Sequence, residues 1–312
     1  MKINDLLGCT GAAFVLLFVS SWVPFVGPFF SLLAPLPFLF YSSKLGPYEG
    51  IKVGVIAVLL TSLVAALAGV SQLIFLAIEL GLLGIVVSEC YRRGYSFGST
   101  LLAGTTFLLI FGVLILFSLG LAKNMGPFEL VKSYFQVNLK ESMTTYENLG
   151  WDEAKIKQFE EYAKILVNIM ARIYPSLMII GAGFVVWLNM ILSRHLFRLR
   201  NLKYPDFAPM DRWRAPEHLV WGVIGAGFSL FLPVSSVKSV GINVLLVLLV
   251  VYVFQGLSII LFFLNKYRVP SWIRVGIYLL ILLQQIFLIG LAMVGLFDQW
   301  IDFRKIHSKR RN

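Results

Sequence analysis

The chain has 312 residues, of which 58% are hydrophobic and only 14% charged, with a mean hydropathy of +0.83. Soluble domains carry about a quarter charged residues, so this composition excludes an ordinary water-soluble fold and assigns most side chains to hydrocarbon. The formal net charge of +11 comes from basic residues that flank apolar runs instead of interleaving with aromatic ones, which fits anionic headgroups and topology control and argues against nucleic acid.

The apolar runs predict an all-α, polytopic transmembrane helical bundle of about nine spans. At ~1.5 Å rise per residue and ~30 Å of hydrocarbon, a span needs about 20 residues. Residues 8–23 form a short first span, ended by Pro24. Residues 25–41 follow, and Pro28, Pro35 and Pro37 predict that this segment is kinked or partly re-entrant. Spans at 51–69 and 71–89 come next, the latter closed by Arg92 and Arg93, then a fifth at 99–122.

Residues 123–164 break the pattern with a mixture of lysines and acids. From Asp152 the stretch predicts a water-facing helix, with Glu153–Lys157 and Glu160–Lys164 as i,i+4 pairs. The sixth span is 165–192, where Pro175 predicts a kink. A connection at 193–217 follows, carrying Arg194, Arg198, Arg200, Lys203, Arg212 and Arg214. Spans at 219–234, 242–264 and 275–297 complete the set. The organisation expected is an N-terminal membrane bundle at 1–122, a polar insertion at 123–164 and a C-terminal bundle at 165–312 that ends in a basic tail, 298–312.

Short basic connections stay in the cytoplasm because arginine is costly to translocate. With the N-terminus inside, the inner connections hold Lys44 and Lys52, Arg92 and Arg93, the arginines of 193–217, and Lys266, Arg268 and Arg274, while the short outer ones hold only Lys238. The expected location is the cytoplasmic membrane of a bacterium, with the N-terminus and 193–217 cytoplasmic. One feature dissents: nine spans place the tail, with Arg304, Lys305, Lys309, Arg310 and Arg311, on the outer face.

No catalytic signature is found. A Gly-rich phosphate loop with Lys-Ser/Thr, a serine elbow and a His-Glu-x-x-His pair are all missing, so no enzyme activity, cofactor or metal site is expected. His195, His218 and His307 are scattered through loops and tail, and Cys9 and Cys90 have neither metal nor disulfide spacing. The informative groups are ionisable residues within apolar runs. Glu79 near the middle of the fourth span and Arg172 in the sixth are candidates for a substrate or ion pathway, since a charge at bilayer depth costs about 3 kcal/mol. The plainer readings are a structural hydrogen bond for Glu79 and snorkelling for Arg172. Gln72, Asn189, Asn243, Gln255, Gln284 and Gln285 are expected to bond across helices.

Three stretches carry a likeness. Phe207-x5-Trp213-x2-Pro216-x4-Trp221, Tyr252-x2-Gln255-Gly256 and Gly295-Leu-Phe-Asp298-x-Trp300-x-Asp302-Phe-Arg304, with Tyr174-Pro175 in the sixth span, resemble the YybS-like family of bacterial membrane proteins. That family is in turn distantly similar to the substrate-binding (S) components of energy-coupling factor transporters. The resemblance implies a small-solute-binding subunit that borrows separate ATPases through a transmembrane coupling subunit, docked by Gly8, Gly11 and Ala12 of the first span. The alternative is a non-transporting scaffold that recruits proteins or anionic lipids through the polar insertion, loop and tail, with Arg194, Arg198, Arg200, Arg212, Arg214, Asp298, Trp300, Asp302 and Arg304 as its candidate surface. Asp302 with Arg304 is read as a local ion pair.

Overall fold

The computed structural model describes residues 3–22, 27–70, 72–148, 152–206 and 209–304. Pro24, Phe207 and the tail residues Lys305, His307, Lys309, Arg310 and Arg311 lie outside them, as do the side chains of Gln72, Glu153 and Lys157. The described residues form helices joined by turns, with no strand: α1 Ile3–Trp22, α2 Gly27–Ser31, α3 Pro35–Leu45, α4 Pro47–Leu67, α5 Gln72–Arg92, α6 Phe97–Lys123, α7 Pro127–Asn148, α8 Glu153–Leu199, a 3-10 turn at Met210–Arg212, α9 Leu219–Ser229, α10 Ser235–Lys266, α11 Ser271–Leu283 and α12 Gln285–Ile301.

Five of these helices are long and apolar enough to cross a membrane, α11 with α12 makes a sixth when the pair counts as one, and shorter apolar stretches occupy Ile3–Val19, Phe29–Leu45 and Leu219–Ser229. The all-α membrane bundle is therefore what the chain forms. Its helix bounds differ from the sequence expectation at several points, each for a local reason. The proline-rich second segment breaks at 32–34 between α2 and α3, and Pro35 and Pro37 then fall in the first turn of α3, where a missing N–H costs nothing. Residues 235–241, read as a connection, are the opening turns of α10. The last run is not one helix: α11 and α12 meet at Gln284 with a bend of 102°.

The chain divides into two compact units. Unit 1 is Met1–Leu130 with Gly181–Asp206, and unit 2 is Val131–Ile180 with Phe207–Asn312. In unit 1, α1, α3, α4 and α5 pack around Cys9, Ala13, Phe38, Val53, Ala57 and Val58. Small residues bring the backbones close. A Cβ on Gly84 would lie 2.5 Å from the Pro35 carbonyl, and one on Gly104 would lie 2.9 Å from Val186. Asn189 of α8, 2% exposed, donates to Leu32 O at 2.7 Å and so supplies a partner for the backbone freed at the 32–34 break. Asp5 and Lys44 form an ion pair at 2.6 Å that joins the start of α1 to the end of α3, and Tyr91 with Ser193 (3.0 Å) joins the ends of α5 and α8.

In unit 2, α8 runs through Pro175 as one uninterrupted helix. Proline removes a rung of the helical ladder, and the side-chain amide of Asn243 on α10 fills in beside it. It accepts from Ser176 N at 2.8 Å and donates to Arg172 O at 2.9 Å. The water-facing start of α8 carries the expected Glu160–Lys164 pair at 2.7 Å.

Candidate functional site

The three stretches that carry the family likeness converge in unit 2. Their meeting begins with backbone contact between α10 and α12. A Cβ on Gly256 would strike the Leu291 carbonyl, and one on Gly295 would strike that of Tyr252, so only glycine lets these helices touch here. Tyr252, Ala292, Ala215 and Val220 pack around the crossing. The close approach sets Gln255 of α10 against Asp298 in the last turn of α12.

Asp298 is 0% exposed and Arg304 5%. The Asp298 carboxylate accepts from Gln255 Nε2 at 3.1 Å, Phe303 N at 3.0 Å and Arg304 Nη2 at 2.9 Å, and Arg214 Nε lies 3.5 Å away. Asp302 has φ +46°, a left-handed residue that turns the chain back over the end of α12 and lets Phe303 and Arg304 reach inward. Arg304 Nη1 then donates to Asp211 O (3.0 Å), Trp213 O (2.9 Å) and Ser258 Oγ (2.7 Å). Gln255 Oε1 accepts from Ala215 N at 3.1 Å, and Ser258 Oγ donates to Trp213 O at 2.9 Å. Arg214 pairs with Asp302.

Two arginines and two aspartates make the cluster neutral, so each buried charge has an opposite partner to offset its desolvation. The donors are directed at carbonyls and carboxylates of the same unit, and the arrangement acts as a clamp holding residues 211–215 against the ends of α10 and α12. The expected local pair of Asp302 with Arg304 is replaced: Asp302 takes Arg214, and Arg304 folds past it to Asp298. Ser258 and Gln299 were not anticipated. Gln299 Nε2 donates to Ala215 O at 3.1 Å. A signal for Ser258 was present, since it lies one helical turn beyond Gln255 and shares its face.

The other candidates fall as follows. Trp300 and Arg212 are exposed on unit 2, while Arg194, Arg198 and Arg200 are exposed on unit 1. Gly8 packs directly against Tyr41 within unit 1, whereas Gly11 and Ala12 are exposed with open space around Gly11. Glu79 is half-buried on α5 of unit 1. Arg172 belongs to unit 2 with its side chain exposed, and its carbonyl receives Asn243. Cys9 and Cys90 are free and buried, and no group of residues suited to a metal ion occurs among the described residues.

Comparison with known proteins agrees with the family likeness. The chain is 21% identical over 289 residues, covering 91% of both sequences, to the uncharacterized protein YybS of Bacillus subtilis (strain 168). No solved structure matches. The model of the family described as "Predicted membrane protein (DUF2232)" matches residues 11–299, from the first helix to the end of the last, and the chain belongs to that family.

Proposed function

We propose that this membrane protein is a transport subunit that binds a small solute, working as the S components of energy-coupling factor transporters do. The observation that carries the reading is the break between α11 and α12, in an otherwise apolar stretch. Gln284 there is extended (φ −113°, ψ 102°), so the last carbonyls of α11 and the first N–H groups of α12 end inside that stretch. Open backbone groups cost several kcal/mol in lipid, and broken helices persist at bilayer depth where they line a cavity or are buried in protein. Gln284 and Gln285 add two side-chain amides at the same point. On this reading Glu79 and Arg172 serve an ion or substrate pathway, and Gly11 and Ala12 offer α1 to a coupling subunit with separate ATPases. The protein works in the cytoplasmic membrane of a bacterium without catalysing a reaction itself and without binding nucleic acid.

Thermal-shift screening of a solute panel against the purified protein tests this, with Gln284→Leu/Gln285→Leu and Glu79→Gln alongside. A solute that raises Tm of the unaltered protein should lose most of that effect in the first variant. A panel with no effect, or a shift that survives both changes, overturns the reading. The exposed arginines Arg194, Arg198, Arg200 and Arg212 favour a second reading, a scaffold that recruits anionic lipids or proteins. Loss of one defined partner on deleting 123–164, with no solute effect, selects it.

A further inference from the structure

We infer that α11 and α12 form a re-entrant hairpin that enters and leaves the membrane on one face, so the C-terminal tail lies on the same side as the arginine-rich 193–217 connection. The two ends of the pair are linked through Asp211, the end of α12 directly and the start of α11 by way of Asn265. At the start of α11, Arg274 donates to Asn265 Oδ1 (2.8 Å), Val269 O (2.8 Å) and Leu264 O (3.1 Å), which fixes it to the end of α10. Asn265 in turn donates to Asp211 Oδ2 at 3.1 Å. Just beyond the end of α12, Arg304 donates to the carbonyl of the same Asp211 at 3.0 Å. The charged heads of Arg274 and Arg304 thus belong to a single hydrogen-bonded chain through Asp211, at one end of unit 2.

A span would separate those heads by the hydrocarbon thickness, ~30 Å. Run straight, residues 271–301 would extend about 46 Å at 1.5 Å per residue, and their ends could not join one such chain of hydrogen bonds. The 102° bend at Gln284 lets the chain turn back instead. α11, with 13 residues, is too short to cross by itself, and α12, with 17, is at the lower limit for a crossing. Trp272 in the first turn of α11 and Trp300 in the last turn of α12 are 76% and 60% exposed, and both suit the headgroup layer of one face.

The hairpin also removes the conflict in the charge pattern. Arg304, Lys305, Lys309, Arg310 and Arg311 no longer need to be translocated, and every strongly basic segment of the chain falls on a single face. This placement is independent of what the protein carries.

Single cysteines at Asn201→Cys, Val234→Cys and Asn312→Cys, in a Cys9→Ser/Cys90→Ser background, test it with a membrane-impermeant maleimide on intact cells and on everted vesicles. Asn312→Cys should be labelled from the same side as Asn201→Cys, and Val234→Cys from the other. Labelling of Asn312→Cys together with Val234→Cys, opposite to Asn201→Cys, overturns the hairpin. Should the cysteine-free chain fail to accumulate, epitopes inserted after Asn201 and after Asn312 of the otherwise unaltered protein give the same decision by protease accessibility. Two epitopes cut from one side support the hairpin, and epitopes cut from opposite sides refute it.

Discussion

Unit 1 joins its helices through glycines and apolar side chains with single hydrogen bonds at the ends, whereas unit 2 ties its helix ends with buried charge. Lipid tails are as apolar as leucine, so neither unit gains from hydrophobic exclusion between helices, and each depends on close packing and polar contacts. In unit 1 the contacts that join one helix to another are separate pairs, Ser43 with Ser88 at 2.8 Å, Tyr91 with Ser193 at 3.0 Å and Asp5 with Lys44 at 2.6 Å, while the shared pairing of Glu89 with Arg92 and Arg93 stays at the end of α5. In unit 2 Asp298, Arg304, Arg214 and Asp302 share partners, so the loss of one member exposes the others. Isolated contacts fail singly, and a shared network fails as a group.

The largest effect is expected at Asp298. Replacing it by alanine leaves Arg304 buried without its carboxylate and takes one of two acids from Arg214. Breaking a buried pair by removing one partner costs about 3–5 kcal/mol. Asp298→Ala should lower the yield of folded protein and its Tm in detergent sharply. Asp298→Leu/Arg304→Met should recover much of the loss, because Arg214 keeps Asp302 and no unpaired charge remains. A double variant as unstable as Asp298→Ala would mean that the charges are needed for more than their mutual compensation.

A smaller, matched pair of effects compares the two units directly. Asn189 in unit 1 and Asn243 in unit 2 each serve a helix whose ladder is interrupted, at the 32–34 break and at Pro175. Asn189→Leu and Asn243→Leu should each cost about 1–2 kcal/mol, the range for losing a membrane hydrogen bond and leaving its partner unsatisfied. Hydrogen exchange separates them by place. Asn243→Leu should speed exchange at the Ser176 amide and leave unit 1 unchanged. Asn243→Asp should protect Ser176, since its carboxylate still accepts that N–H although it has nothing to donate to Arg172 O.

Most of the architecture was legible because apolar length and proline placement act locally. Among the described residues each of the nine apolar runs is mainly helical, and the odd composition of 25–41 announced its break. The convergence of Gln255, Asp298 and Arg304 was legible only as unusual residues in two separate stretches. Nothing local dictates that Arg304 bypasses Asp302, because the choice rests on the left-handed turn at Asp302 and on the backbone contact that Gly256 and Gly295 permit. The bend at Gln284 was hidden for a different reason. Leu283, Gln284 and Gln285 contain neither proline nor glycine, and composition alone reads the run as one span. The charge pattern did carry one dissenting feature, a basic tail that nine full crossings place on the outer face.

The smallest effect is expected at the Asp5–Lys44 pair, and it sharpens the contrast between the units. Its lysine side chain is 39% exposed and its aspartate 10%, so water and salt reach one partner freely. Such pairs contribute at most about 1 kcal/mol and weaken as ionic strength rises. Lys44→Gln should therefore lower Tm slightly at low salt and merge with the unaltered protein at high salt. Asp298→Ala should remain equally destabilised at both, because the Arg304 side chain it leaves behind is fully buried, out of reach of screening ions. If Lys44→Gln were instead as damaging as Asp298→Ala, and insensitive to salt, the end of unit 1 would also be a buried network, and the difference between the two units would lie only in which residues build it.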